Sequence, residues 1–227
     1  MQRAFLFDVF GTCVDWRRSV AREVERALPG VDPVAFAVAW RAEYDPSMAR
    51  IREGNRGYVP LDVLHRENLE RVAARFGVAV PDPEGLTRAW EKLAPWPDVV
   101  EGLGALRRSG LIAPCSNGSI ALMARLARYA ALPWDAIAGA DLARGYKPQP
   151  EVYRASCAAL GLPPSDVVMV AAHNADLFAA RAEGLQTAFV ARPEEHGPGQ
   201  EIDLVPESDW TYIARNFKEL SRIVEVG

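Results

Sequence analysis

The chain has 227 residues, 49% of them apolar and 25% charged, with a formal net charge of −4. That length buries one sizeable core with room for an inserted subdomain, and the acidic balance gives no basic footprint for nucleic acid. No apolar run reaches the roughly 18 residues of a membrane span, Asp8 interrupts the apolar N-terminal run, and three cysteines without metal-like spacing (Cys13, Cys115, Cys157) fit a reducing cytoplasm better than a disulfide framework.

Ala4-Phe5-Leu6-Phe7 is a short apolar run that ends in Asp8, with Gly11 and Thr12 just beyond, so residues 1–13 read as a buried strand and a loop. From about Trp16 to Leu93 the period is helical. Val20, Val24, Ala27 and Leu28 share a face, and Phe36, Trp40 and Tyr44 recur every fourth residue. Leu61, Leu64, Leu69, Val72 and Phe76 form a third stripe, and Leu86, Trp90 and Leu93 a fourth. Pro95-Trp96-Pro97 breaks the pattern, and helix and strand then alternate.

Residues 99–108 read as a helix stopped by Gly110. A strand over 111–115 runs into Ser116-Asn117-Gly118-Ser119, and a helix follows through 131. Residues 151–160 read as a helix with Pro150 at its start and Gly161 past its end. Strands are expected over 167–172 and 187–190, and one amphipathic helix over about 212–224. This alternation predicts an α/β fold, a Rossmann-like parallel sheet core with an inserted helical cap subdomain. The core takes residues 1–13 and 96–227, and the cap residues 14–95.

Four loops then carry one polar group or pair each: Asp8 with Thr12, Ser116 with Asn117, Lys147, and His173 through Asp176. In a parallel sheet such loops lie along one edge and converge. Taken singly, each has a plainer reading. Asp8 would cap a turn, Ser116-Asn117-Gly118-Ser119 would be a helix N-cap, and Asp176 an acid in a helix first turn. Lys147 would be a solvated loop lysine, although the basic residues are nearly all arginine, the lysines being Lys92, Lys147 and Lys218. Arg41 adds a cation expected on one helical face with Val34, Ala37 and Val38; its plainer reading is a side chain that snorkels to water. Order and spacing together favour a catalytic site over these separate readings.

Asp8-Val9-Phe10-Gly11-Thr12 resembles the first motif of the haloacid dehalogenase superfamily, and the later loops match its order over the whole chain. The resemblance implies that Asp8 is a nucleophile. Phosphatases of the superfamily carry a second aspartate two residues on as general acid; here that position is Phe10, which cannot move a proton and points to carbon–halogen chemistry. More narrowly, Tyr146-Lys147-Pro148 with Tyr153, Ser116-Asn117-Gly118, and Trp40-Arg41 resemble the type II L-2-haloacid dehalogenases. That family implies a small 2-haloacid substrate, with inversion through an ester on Asp8 that water hydrolyses. Lys147 would hold Asp8 ionised, Arg41 and Asn117 would receive the halide, and Ser116 with the helix start after it would bind the substrate carboxylate. Phe10, Thr12, Tyr153 and Asn174 complete the expected substrate-binding set.

The fourth loop departs from the family's Ser-Ser-Asn-x-x-Asp: it reads Ala171-Ala172-His173-Asn174-Ala175-Asp176. His173 is then either a base for ester hydrolysis, oriented by Asp176, or a structural replacement for asparagine. The loop lacks the paired carboxylates that complete a Mg²⁺ shell, so neither a metal nor another cofactor is expected. No nucleic-acid or membrane partner is implied, and a homodimer is left open. His65 reads as a core or cap-interface histidine, His196 as an exposed residue of the 192–200 loop, and Cys115 as packing. Phe36, Trp40, Tyr44 and Tyr58 read mostly as core, with one or two walling the pocket. A phosphatase or phosphonate hydrolase of the same superfamily and a non-catalytic relative remain the alternatives.

Overall fold

The structure is a computed structural model and describes residues 3–226. In chain order the elements are β1 (Ala4–Phe7), β2 (Val14–Asp15), α1 (Trp16–Ala27), α2 (Pro33–Ala42), α3 (Tyr44–Arg52), α4 (Leu61–Phe76), α5 (Pro83–Thr87) with a 3₁₀ turn after it, β3 (Ala94–Pro95), α6 (Val99–Leu106) and β4 (Leu111–Ser116). Then come α7 (Ile120–Ala130), β5 (Ala138–Gly139), α8 (Ala140–Ala143), α9 (Pro150–Ala159), β6 (Val167–Ala171), α10 (Asn174–Ala182), β7 (Gln186–Val190), β8 (Tyr212–Ala214) and α11 (Phe217–Val226). No helix among the described residues is long and apolar enough to cross a membrane.

Six strands form one parallel sheet in the order β5-β4-β1-β6-β7-β8. β1 is central, with Leu6 opposite Ala113 on one side and Met169 on the other. Its four residues are completely buried because both sheet faces are covered, and the period of two divides them. Phe5 and Phe7 join one core, where Phe7 stacks on Phe217 at 5.6 Å. Ala4 and Leu6 join the other, with Tyr153 and Leu177. Burying such a side chain stabilises by about 1.5–3 kcal/mol, so β1 is firmly anchored, and Asp8 is the next residue along.

Between β1 and β4 lies the helical segment, closed at its base by β2 and β3, an antiparallel pair with Val14 opposite Pro95. Two-residue strands carry no readable periodicity, and neither they nor β5 are visible in the sequence pattern. At the C-terminus the expectation of one helix from 212 is corrected: Tyr212–Ala214 is the edge strand β8, paired with Ala188–Val190. The helix starts only at Phe217, whose N–H donates to Asp98 Oδ2 (2.7 Å), while Asn216 Oδ1 accepts from the Glu219 N–H. The face expected for Arg41 is also corrected. α2 buries Phe36, Ala37 and Trp40, whereas Val34 and Val38 are 37% and 43% exposed, so Arg41 leaves the edge of the buried face, not an apolar stripe.

Candidate active site

Asp8 stands where β1 ends, and its N–H still donates to Val170 O at 3.0 Å, extending the ladder. Its carboxylate is buried and held at both oxygens. Oδ1 accepts from Lys147 Nζ at 2.9 Å; Oδ2 accepts from Thr12 Oγ1 at 2.7 Å and lies 3.1 Å from His173 Nδ1. Burial favours the neutral acid, but the charge of Lys147 and the His173 hydrogen bond outweigh it and hold Asp8 well below the usual carboxylate range.

On the Oδ1 side, Lys147 Nζ also donates to Asp176 Oδ2 (2.5 Å), and Tyr153 OH donates to Asp176 Oδ1 (2.5 Å). Burial alone would lower the Lys147 pKa; Asp176 and Asp8 raise it instead, and burial beside Asp176 raises that of Tyr153. Lys147 is therefore a permanent cation. Its N–H donates to Asn117 Oδ1 (2.7 Å), which leaves the Asn117 NH₂ as the end free for a ligand. Thr12 Oγ1 in turn accepts from Ala172 N at 2.9 Å, and Arg192 Nε donates to Thr12 O at 2.8 Å while gripping Asp98 with both Nη atoms.

On the Oδ2 side the expected orienter is corrected. Asp176 is engaged by Lys147 and Tyr153; Glu195 holds His173, with Nε2 2.9 Å from Oε2. Glu195 is 2% exposed, and its Oε1 accepts from Trp16 Nε1 at 3.0 Å. Gly11 makes room for it: φ is +87°, and a Cβ there would stand 2.0 Å from Glu195 Oε1. The sequence reading missed Glu195 because it sits in the Pro/Gly-rich 192–200 stretch, where His196 is exposed as expected but Arg192 and Glu195 are buried. An acid in such a loop carries no periodic signal.

These groups open into a cavity of about 190 Å³ lined by Asp8, Phe10, Arg41, Tyr44, Asn117, Lys147, Pro148, His173, Ala175 and Asp176. Arg41 places its guanidinium 3.8 Å over the Tyr44 ring, and its Nη1 is buried without a hydrogen-bond partner among the described residues. Phe10 meets Tyr44 and Trp90 edge-on at 6.2 and 5.9 Å. Of the cap aromatics, Tyr44 walls the pocket.

The remaining expected site residues sit behind this wall. Thr12 and Tyr153 hydrogen-bond Asp8 and Asp176. Ser116 is fully buried and accepts from the Gly118 N–H (3.1 Å), with no acceptor for its own hydrogen among the described residues. Asn174 turns away. Its NH₂ serves Asp203 Oδ1 and Val205 O, and its Oδ1 accepts from Glu207 N and Trp210 Nε1. His65 is buried and stacks on Trp90 at 4.3 Å; burial and the Arg41 charge push it well below its ordinary value, so it is neutral. Burial pushes the Cys115 thiol up to about 12, which fits packing.

A family model described as haloacid dehalogenase-like hydrolase matches residues 2–184. A crystal structure of an L-2-haloacid dehalogenase superposes with a TM-score of 0.96 at 47% identity, covering 100% of both chains. The (S)-2-haloacid dehalogenase of Xanthobacter autotrophicus is 30% identical over 89% of this chain and 80% of its own length. A structure of the enzyme from that organism with chloropropionic acid covalently bound gives a TM-score of 0.83 at 26% identity over 99% of each chain. The chain belongs to the haloacid dehalogenase-like hydrolases, and among them to the L-2-haloacid dehalogenases.

Proposed function

We propose that the chain hydrolyses (S)-2-haloacids to 2-hydroxy acids, with inversion at the α-carbon, through an ester on Asp8. The observation that carries this reading is the Asp8 carboxylate, ionised and clamped by Lys147 and Thr12 at the cavity floor, with inert Phe10 two residues on. A carboxylate of this kind is a nucleophile without a general base. Attack in line on the α-carbon expels halide towards Arg41 and the Asn117 NH₂, where donors aimed at the developing charge speed the step. The substrate carboxylate sits on the Ser116–Asn117 loop side of the cavity. Ser116 lies behind the wall, and the Ile120 and Leu122 N–H groups of α7 already donate to Asp141 Oδ2 and Ser119 Oγ, so neither is its first contact. Water then attacks the ester carbonyl beside His173, whose outer nitrogen is held by Glu195, and Asp8 is regenerated. The covalently bound chloropropionic acid in the Xanthobacter structure supports this sequence.

The residues do not fit a catalytic Mg²⁺. The place between Asp8 Oδ1 and Asp176 Oδ2 is filled by Lys147 Nζ, 2.9 and 2.5 Å from them, so no step runs through a metal. We assign residues 1–13 and 96–227 to the catalytic core and 14–95 to a cap that brings Arg41 over the floor. The three free, buried cysteines suit a cytoplasmic location; a homodimer is carried as a proposal for a measurement of mass in solution. The test is halide release over fluoro-, chloro- and bromo-acids, with and without EDTA. Halide and 2-hydroxy acid in equal amounts, unaffected by EDTA, support the reading. Mg²⁺-stimulated phosphate ester hydrolysis without halide release overturns it.

A further inference from the structure

His173 is bonded on both sides by carboxylates: Nδ1 to Asp8 Oδ2 at 3.1 Å and Nε2 to Glu195 Oε2 at 2.9 Å. An ionised carboxylate only accepts hydrogen bonds, so both ring nitrogens must carry hydrogen. The resting side chain is an imidazolium. A protonated ring cannot take a proton from water, so the base for ester hydrolysis is absent from the resting enzyme. The chemistry of the first step removes this obstacle. Alkylation turns Asp8 from an anion into a neutral ester, and His173 loses one of its two charged acceptors while Glu195 keeps the other nitrogen.

We infer that ester formation on Asp8 expels the Nδ1 proton of His173 to solvent, so that the nucleophile's own alkylation creates the base that later hydrolyses the ester. This inference rests on the Asp8-ester reading. The step balances. Asp8 displaces X⁻ from carbon without proton transfer, and His173 then gives up H⁺. As water adds to the ester carbonyl, one of its hydrogens goes to Nδ1. The second leaves with the expelled alkoxide as the alcohol, which restores the Asp8 anion and the imidazolium. The sum is haloacid plus water giving hydroxy acid, X⁻ and H⁺.

The surroundings fit a proton that comes and goes. Partial burial disfavours the charged ring, but Glu195 first and Asp8 with it raise His173 well above its ordinary value. The same contact holds Glu195 below its own. The other charged and titratable groups facing the pair are Lys147 across Asp8, Asp176 one turn along α10, and Arg41 and His196 beside Glu195, the last 3.7 Å from Oε1. The His173 side chain is 23% exposed, which gives the proton a route to water, whereas Glu195 at 2% has none.

The test is a single turnover of (S)-2-chloropropionate by the full chain in weak buffer with a pH indicator, near pH 7. Chloride and lactate are measured by rapid quench, and the protein mass is read at the same times. The expected result is one equivalent of H⁺ in the chloride phase, ahead of lactate. Glu195→Gln leaves His173 a weaker base in the ester, so the ester lasts longer and the proton and lactate phases separate. The acid limb of ester hydrolysis should also move down by about one pH unit, as for loss of a neighbouring opposite charge; a merely structural Glu195 would not shift it. A proton that tracks lactate in both proteins overturns the inference, and makes His173 a fixed donor to the ester carbonyl. Chloride release with no covalent mass gain in either protein overturns the Asp8-ester reading instead, and the inference with it.

Discussion

Asp8 is held by two cations that look alike in a list of contacts and differ in chemistry. On one oxygen stands Lys147, braced by Asp176 and Tyr153; on the other stands His173, braced by Glu195 and Trp16. Each cation lies between two carboxylates. Lysine between two carboxylates stays charged through any change at Asp8, because its ordinary value already lies far above neutrality. Histidine starts close to neutrality, so the same sandwich makes its charge depend on whether Asp8 is an anion. The Lys147 arm suits the nucleophile's ionisation and the His173 arm the later attack by water. On the proposed reaction, its two halves fall to the two oxygens of one side chain.

The largest expected effect removes what both arms hold. Asp8→Asn keeps the shape but abolishes the anion, and Phe10 cannot replace it; turnover should fall by at least about 10⁴-fold, as when a nucleophile is deleted. In the unmodified protein, a single turnover in H₂¹⁸O should place the label in Asp8 and leave the first product unlabelled. Label in the first product would mean that water attacks the substrate directly, and the two-arm scheme would fail at its root.

The arms separate in the next pair of variants. Lys147→Met should slow alkylation by roughly 10²–10³-fold. Asp8 would then lose the charge that holds it down. Its folded value rises, so an alkylation rate, read as single-turnover halide release, that is flat from neutrality down through pH 4 should acquire an acid limb in the ordinary carboxylate range. His173→Asn should do the reverse: alkylation close to normal, halide released in a burst of one equivalent, and the ester visible as a mass gain. Turnover would fall by roughly 10²–10⁴-fold, the usual contribution of a general base. Equal slowing of both steps by both variants would show that the arms are one structural unit.

How much of this was legible depended on where each residue sits. Asp8 follows β1 and Asp176 lies in the first turn of α10, and the rarity of lysine makes Lys147 stand out in the loop before α9. Tyr153 is visible too, in the first turn of α9. Glu195 was not, because its position depends on a coil between β7 and β8 whose path is set by Arg192 gripping Asp98 and Thr12 O. Both anchors are remote in sequence. β8 and the β2–β3 pair were hidden for another reason: two or three residues are too few to display a period of two. Arg41 reaches the pocket from the edge of the buried face of α2, while Val34 and Val38, which share its sequence spacing, face outward.

Arg41 belongs to neither arm and should matter only while halide departs. Arg41→Ala is expected to slow ester formation by roughly 10²–10³-fold, read as single-turnover halide release, with the hydrolysis of preformed ester unchanged. Arg41→Lys should recover part of this, because lysine is a point charge without the planar fork. A normal halide-release rate in Arg41→Ala would leave its unpartnered Nη1 without a role in the reaction.

The smallest effect on chemistry is expected one residue beyond His173. Asn174 has the sequence context of a substrate ligand, yet all its side-chain hydrogen-bonding groups are engaged with residues 203–210 on the side away from the cavity. Asn174→Ala removes those bonds and leaves the Trp210 indole N–H and the Glu207 N–H without their acceptor. Unsatisfied buried groups cost about 1–3 kcal/mol, which for a chain of this size lowers Tm by roughly 2–12 °C. The folded fraction should keep KM and the halide burst within about threefold, because no atom lining the cavity is lost and Asp176 still braces Lys147. If instead KM rises tenfold or more while Tm holds, the side chain reaches the substrate, and the boundary between site and scaffold lies one residue further along α10 than the hydrogen bonds place it.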